Sequence, residues 1–147
     1  MSVLLQDDHW CFGCGSENPI GLHLNVCFDG EALVADFTPQ KAHQGYADVM
    51  HGGIMSAILD EMMGKLLALT GRASVTAEIA VRFRRPVRVG QRLVLRAWVE
   101  QERSRVIIAR AEAKDAVDGA VCGDATATFV RQRAAFGGKE AAGNGQG

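Results

Sequence analysis

His51-Gly52-Gly53, with Asp60 seven residues beyond Gly53 and Glu61 next to it, sets backbone donors and carboxylates on one stretch of chain. Beyond the glycines the stretch is almost continuously apolar, through Ile54, Met55, Ala57, Ile58, Leu59, Met62, Met63, Leu66, Leu67 and Leu69. A helix with no wide polar stripe belongs in a core, wrapped by other elements. The glycine pair stands where the first helical N–H groups are still free. With no side chains there, a ligand oxygen can approach those donors and feel the positive end of the helix dipole. An acid inside such a helix is costly unless it has a partner or a task. Asp60 is therefore the candidate reactive carboxylate. Glu61 projects about 100° away and is read as secondary, a partner for an arginine. Gly53 and Asp60 point to similar sides but lie roughly 10 Å apart along the axis, at ~1.5 Å per residue. That is too far for both to touch one reacting carbon. If they act together, one of the two comes from an antiparallel copy of the helix, which a two-fold dimer supplies.

Two other clusters invite chemistry. Cys11 and Cys14 form a Cys-x-x-Cys, and with His9 before and His23 after they could give zinc four tetrahedral ligands. Yet only one Cys-x-x-Cys is present, and Leu22-His23-Leu24-Asn25-Val26 alternates like a strand with His23 on its polar side. Free thiols packed in an N-terminal turn are the other reading. The net charge of −1 hides ten arginines between Gly71 and Arg110, set against only Glu78, Glu100 and Glu102. An anionic ligand would explain that excess. Arginines decorating the wet face of a sheet would explain it too. No aromatic interleaving or nucleic-acid motif points to a polynucleotide.

The elements that must position these groups are legible from periodicity. Residues 22–28 and 32–38 alternate and meet at Asp29-Gly30, a strong hairpin signal. Residues 39–50 form a loop carrying His43, Gln44, Gly45, Tyr46 and Asp48 to the glycine pair. The helix should end near Thr70-Gly71. Strands over residues 75–84, 92–101, 105–114 and 120–131 follow, with turns at Val89-Gly90, near Glu102-Arg103-Ser104 and at Asp118-Gly119. Two strands, one buried helix and four strands make an α+β fold, a curved antiparallel sheet of about six strands wrapped around the helix. Residues 10–133 form one domain, preceded by a loose segment 1–9. Residues 134–147 are Ala, Gly, Lys, Glu, Asn and Gln with one Phe, too poor in apolar bulk for a core, and are read as a disordered tail. No stretch has the length and apolarity of a membrane span and no secretory signal is visible, so a cytoplasmic protein with no membrane partner is expected.

Three motifs together resemble a known family: Cys11-Phe12-Gly13-Cys14-Gly15 leading to Asn18-Pro19-Ile20-Gly21-Leu22, then His43-Gln44-Gly45-Tyr46, then His51-Gly52-Gly53 with Asp60. The chain is similar to hotdog-fold acyl-CoA thioesterases of the PaaI (phenylacetic acid degradation-related) type over residues 10–131. The resemblance implies a hotdog fold, an acyl-CoA substrate, no required cofactor beyond the CoA of that substrate, and active sites at the interface of a homodimer or homotetramer. It puts Asp60 at the catalytic acid, as nucleophile or as the base that activates water. Gly53 would supply the oxyanion N–H with Gly52 giving clearance, and His51 would orient the loop. Gln44 matches a position that contacts thioester or water. Thr76 matches a hydroxyl that helps hold the water, but alternation sets it on the polar side with Glu78 and Arg82, so a bulge or strand-end twist must aim it inward. Arg82, Arg84, Arg85 and Arg88, around Pro86, could meet CoA phosphates. Met55, Ile58, Leu59 and Met63 would line a permissive acyl chamber. Two other readings stay open: a non-catalytic acyl-CoA binding module, and enoyl-CoA hydration, whose Asp and His spacing is not found here.

Overall fold

The computed structural model describes residues 5–132. Six strands form one antiparallel sheet in the order β1-β2-β4-β5-β6-β3. They are β1 (Val26–Asp29), β2 (Ala32–Phe37), β3 (Ser74–Phe83), β4 (Leu93–Glu102), β5 (Val106–Asp115) and β6 (Val121–Arg131). Helix α1 (Gly52–Leu69) lies against one face and packs on β2 through β6. The hotdog architecture implied by the strand and helix pattern is the one observed, and Gly30, with φ of 66°, turns the β1–β2 hairpin.

Residue size explains how sheet and helix fit. Inward positions of β4, β5 and β6 alternate with half-exposed ones and are rich in alanine, at Ala97, Ala109, Ala111, Ala113, Ala125 and Ala127. Small side chains let the helix come close. Ile58, Leu59, Met62, Met63, Leu66 and Leu67 then fill the space from the helix side, each fully or almost fully buried. Each such side chain contributes about 1.5–3 kcal/mol on leaving water.

Both helix ends close as their residues dictate. His51 is the N-cap, and its Nδ1 accepts from the Gly53 N–H at 2.7 Å. At the other end Gly71 is left-handed (φ 74°), the Arg72 N–H donates to the Leu67 carbonyl at 2.8 Å and the Gly71 N–H to that of Ala68 at 3.4 Å. This is the Schellman pattern, which satisfies carbonyls the helix would leave open.

Two expectations need correction. The helix is not enclosed on all sides by its own chain: Ile54, Ala57, Asp60, Glu61, Gly64, Lys65 and Ala68 are only half-buried, because the sheet covers a single face. Residues 22–25 are not strand. Leu22 and Leu24 are buried as expected for alternation, but His23 sits at φ 53°, which no strand tolerates, and pairing begins at Val26. Of the segment expected to be loose, residues 5–9 are described and the His9 N–H is fixed on the Asp7 carboxylate at 2.9 Å. The expected tail lies outside the described residues.

Candidate active site

Asp60 projects from the half-buried side of α1 toward β3. There the register slips between Thr76 and Glu78, a bulge in the pairing with β6. A slip of one residue exchanges the two faces of a strand. Thr76, whose alternation with Glu78 and Arg82 would turn it away, instead donates its hydroxyl to Asp60 Oδ1 at 2.8 Å. The condition set by the sequence, a bulge that aims Thr76 inward, is met.

At the N-terminal end of the same helix the donors differ from expectation. The Gly53 N–H is taken up by His51 Nδ1, and the ring lies so close that a Cβ on Gly53 would meet Nδ1 at 2.9 Å. The neighbouring Gly52 N–H has no hydrogen-bond partner among the described residues. The open donor is thus Gly52, and His51 acts as a cap. A Cβ on Gly52 would come 3.3 Å from the Phe83 ring, so a larger residue there would press on Phe83 and cover the donor. Eight residues separate Gly52 from Asp60, about 12 Å along the helix, so the two do not converge within one chain.

The loop before the helix is held from both sides. Gln44 bridges Met50, and its Oε1 accepts from the Asp48 N–H at 3.0 Å, while its amide nitrogen has no partner among the described residues. Asp48 is left-handed (φ 67°). His43 accepts the Gln40 N–H on Nδ1 at 2.9 Å, tilts against Phe37, and receives the His51 N–H on its carbonyl. Burial pushes the His43 pKa below its ordinary value. On the far side, the Met50 N–H donates to Val87 and the Val89 N–H to Asp48.

Between this loop and the end of β3 lies a cavity of about 280 Å³, lined by Val49, Met50, Gly52, Met55, Phe83, Arg84, Arg85, Pro86, Val87 and Cys122. Met55 of the expected acyl-chamber residues is there, and Gly123 opposite makes room for it, since a Cβ at Gly123 would meet the Met55 sulfur at 2.8 Å. Ile58, Leu59 and Met63 do not line it. They are sealed at 0% exposure between helix and sheet, because they project from the face of α1 that the sheet covers. Phe83, 60% exposed beside Gly52, was missed by sequence reasoning. The alternation of β3 counts it as a core residue, and only the position of the strand at the sheet edge shows otherwise.

Two of the four expected arginines line the cavity and three have acidic partners. Arg84 pairs with Asp124 at 2.7 Å, Arg85 with Asp118 at 2.9 Å and Arg88 with Asp48 at 3.3 Å. All three side chains remain largely exposed. Arg85, with the Ala120 N–H, holds the Asp118 carboxyl below the usual range. Arg82 has no ion-pair partner among the described residues.

The expected zinc ligands are not brought together. Cys11 and Cys14 do converge, but the third group is Glu61, with all three ligand atoms within 4.8 Å of one another. His9 (φ 70°) and His23 (φ 53°) stand exposed and outside that cluster. Among the described residues no arginine pairs with Glu61; its Oε1 accepts from Cys11 Sγ at 3.4 Å. Burial first, and then the Glu61 carboxylate, push the Cys14 thiol up to about 12.

The thioesterase superfamily model matches residues 47–122, just over half of the 147 residues. The chain belongs to the thioesterase superfamily. Solved structures similar to this superfamily member include a thioesterase superfamily protein at 25% identity and TM-score 0.77, covering 84% of this chain and 68% of that one. A phenylacetic acid degradation-related protein of Ralstonia eutropha JMP134 matches at 25% identity and TM-score 0.67, over 74% of this chain and 85% of that one. A Streptococcus pneumoniae TIGR4 thioesterase protein, solved with coenzyme A, shares the fold at 17% identity and TM-score 0.69, over 75% and 88% of the two chains. The PaaI-type resemblance is thus met in sequence family and in fold. No curated protein matches the chain. No helix among the described residues is long and apolar enough to cross a membrane.

Proposed function

We propose that this chain hydrolyses acyl-CoA thioesters to the free acid and CoA. The observation that carries the reading is Asp60, a half-buried carboxylate held by the Thr76 hydroxyl at 2.8 Å, on the same helix as the open Gly52 N–H. A carboxylate and an oxyanion donor are what acyl transfer to water needs. The separation of about 12 Å along the axis makes the site a product of two chains, with each helix giving Asp60 to one site and Gly52 to the other. The uncovered face of α1 and the outer edge of β3, with Val75 and Phe83 exposed, offer the surface for an antiparallel partner.

In the base-catalysed route Asp60 takes a proton from water as the water oxygen bonds to the thioester carbon. The partner's Gly52 N–H holds the oxyanion. Its collapse breaks the C–S bond, and the proton on Asp60 passes to the leaving sulfur. In the nucleophilic route Asp60 Oδ itself attacks, the CoA thiolate leaves, and water hydrolyses the resulting anhydride. The Thr76 hydroxyl orients the carboxylate in both. The cavity beside Gly52 takes the thioester arm, with Met55 at its wall and Arg84 and Arg85 at its mouth for CoA phosphates, in keeping with the coenzyme A found in a protein of the same fold.

Thiol release from short, medium, long-chain and aromatic acyl-CoAs tests this. Turnover that vanishes in folded Asp60→Asn is the expected result. A mixed dimer of Asp60→Asn and Gly52→Val chains should regain one working site of two, since one site then keeps both groups. Ligand binding without thiol release from any thioester would make the chain a binding module instead.

A further inference from the structure

The thioesterase reading uses Asp60 but leaves unexplained its neighbour Glu61 and the turn that packs over it. The turn Cys11-Phe12-Gly13-Cys14-Gly15 is closed by the Gly15 N–H on the Cys11 carbonyl at 2.8 Å, and it is tied to the chain ahead of β1 by the Leu22 N–H on the Phe12 carbonyl and the Leu24 N–H on that of Gly13. Gly13 lies directly on the acid: a Cβ there would meet Glu61 Cδ at 2.4 Å. The chain has thus been kept bare where Glu61 enters between the two thiols. Lys65, one helical turn beyond Glu61, sets its ammonium 3.4 Å from Cys14 Sγ.

We propose that Cys11, Cys14 and Glu61 bind a divalent zinc ion, with a fourth position open to water. Bonds of about 2.3 Å to sulfur and about 2.0 Å to oxygen at a tetrahedral angle imply an S···O edge of roughly 3.5 Å. Cys11 Sγ and Glu61 Oε1 are 3.4 Å apart. The third atom lies within 4.8 Å of both, against an S···S edge of about 3.8 Å in a tetrahedral site. Two thiolates and a carboxylate select zinc over the hard cations calcium and magnesium. Their charge of −3 against +2 leaves −1, which the Lys65 ammonium cancels from outside the coordination sphere, the position from which outer-shell groups tune a metal. The ion would fasten the N-terminal segment to α1 one residue from Asp60, and Glu61, a helix residue far away in sequence, together with a water takes the two places that a second Cys-x-x-Cys fills in a four-thiolate site.

The test uses the full chain, reduced and stripped with chelator, titrated with cobalt and then zinc. One cobalt per chain should give a thiolate charge-transfer band in the near ultraviolet and intense tetrahedral visible bands, both removed by zinc. Glu61→Gln, which keeps both thiols, should abolish stoichiometric binding at the same concentrations, and Lys65→Met should weaken it by ~10–100-fold. Zinc should also slow alkylation of Cys11 and Cys14 in the unaltered chain while leaving exposed Cys27 at its own rate. Cobalt spectra that are absent, or unchanged in Glu61→Gln, overturn the site, as does zinc that shields neither Cys11 nor Cys14. Both readouts are independent of turnover, so failure here leaves the hydrolase reading standing.

Discussion

Replacing Thr76 by Val removes one hydroxyl and keeps the shape and β-branching that the strand favours. The hydroxyl donates to Asp60 Oδ1 at 2.8 Å, an O–H···O⁻ bond on a half-buried carboxylate. Bonds to charged groups are worth about 1.5–3 kcal/mol. If the hydroxyl fixes the reactive oxygen in the transition state, kcat/KM should fall by ~10–150-fold, since each 1.4 kcal/mol is a factor of ten. Thr76→Ser, which restores the donor and loses only a methyl, should recover most of that loss. The assay is thiol release on the preferred acyl-CoA, read as kcat and KM separately, with thermal melts to show that the β3 bulge survives. The loss should fall on kcat, because Asp60 acts on water and the carbonyl and not on the CoA moiety. Full activity in Thr76→Val, or a loss that Thr76→Ser does not repair, would refute the positioning role. A change confined to KM would mean that Thr76 meets substrate directly.

Three more outcomes follow from the geometry. Met55→Ala enlarges a wall of the cavity and should shift acyl selectivity toward bulkier groups, whereas Leu59→Ala, sealed at 0% exposure, should lower stability by about 2–5 kcal/mol without changing selectivity; denaturant melts and a substrate panel separate the two. Arg85→Ala, at the cavity mouth, should raise KM for acyl-CoA more than for a short pantetheine thioester lacking the phosphates, and an equal effect on both would remove Arg85 from phosphate recognition. His43 has its pKa lowered by burial. The unfolded chain therefore binds the proton first, so stability should fall as pH drops through about 6.5, the unperturbed histidine range. His43→Asn, compared by melting temperature from pH 5 to 8, should flatten that part of the curve.

What could be read without coordinates follows the range of the interactions. The later strand periodicities, the Asp29-Gly30 hairpin and the glycine that ends α1 are written in neighbouring residues and were legible; so was Asp60 as a candidate, since an acid in an apolar run announces itself at any position. Gly52 and Gly53 were not distinguishable, because the choice depends on one rotamer of His51, and histidine is not a residue whose type predicts an N-cap. Ile58, Leu59 and Met63 look as suited to a pocket as Met55 does. Only the rotation of α1 against an alanine-rich sheet sends them into the core and leaves Met55 at the opening made by Gly123. Thr76 shows how far local reasoning reaches: alternation alone sends its hydroxyl outward, the need for a bulge could be stated, and the slip opposite Phe129 and Thr128 is fixed by pairing with a strand about fifty residues later. Glu61 marks the limit, for its partners come from a turn fifty residues earlier that lies over part of the helix side the sheet leaves open. The half-buried side of α1 thus carries Asp60 to the edge strand β3 and Glu61 to the cysteines, so the two acids of a largely apolar helix stay off the face that packs in the core.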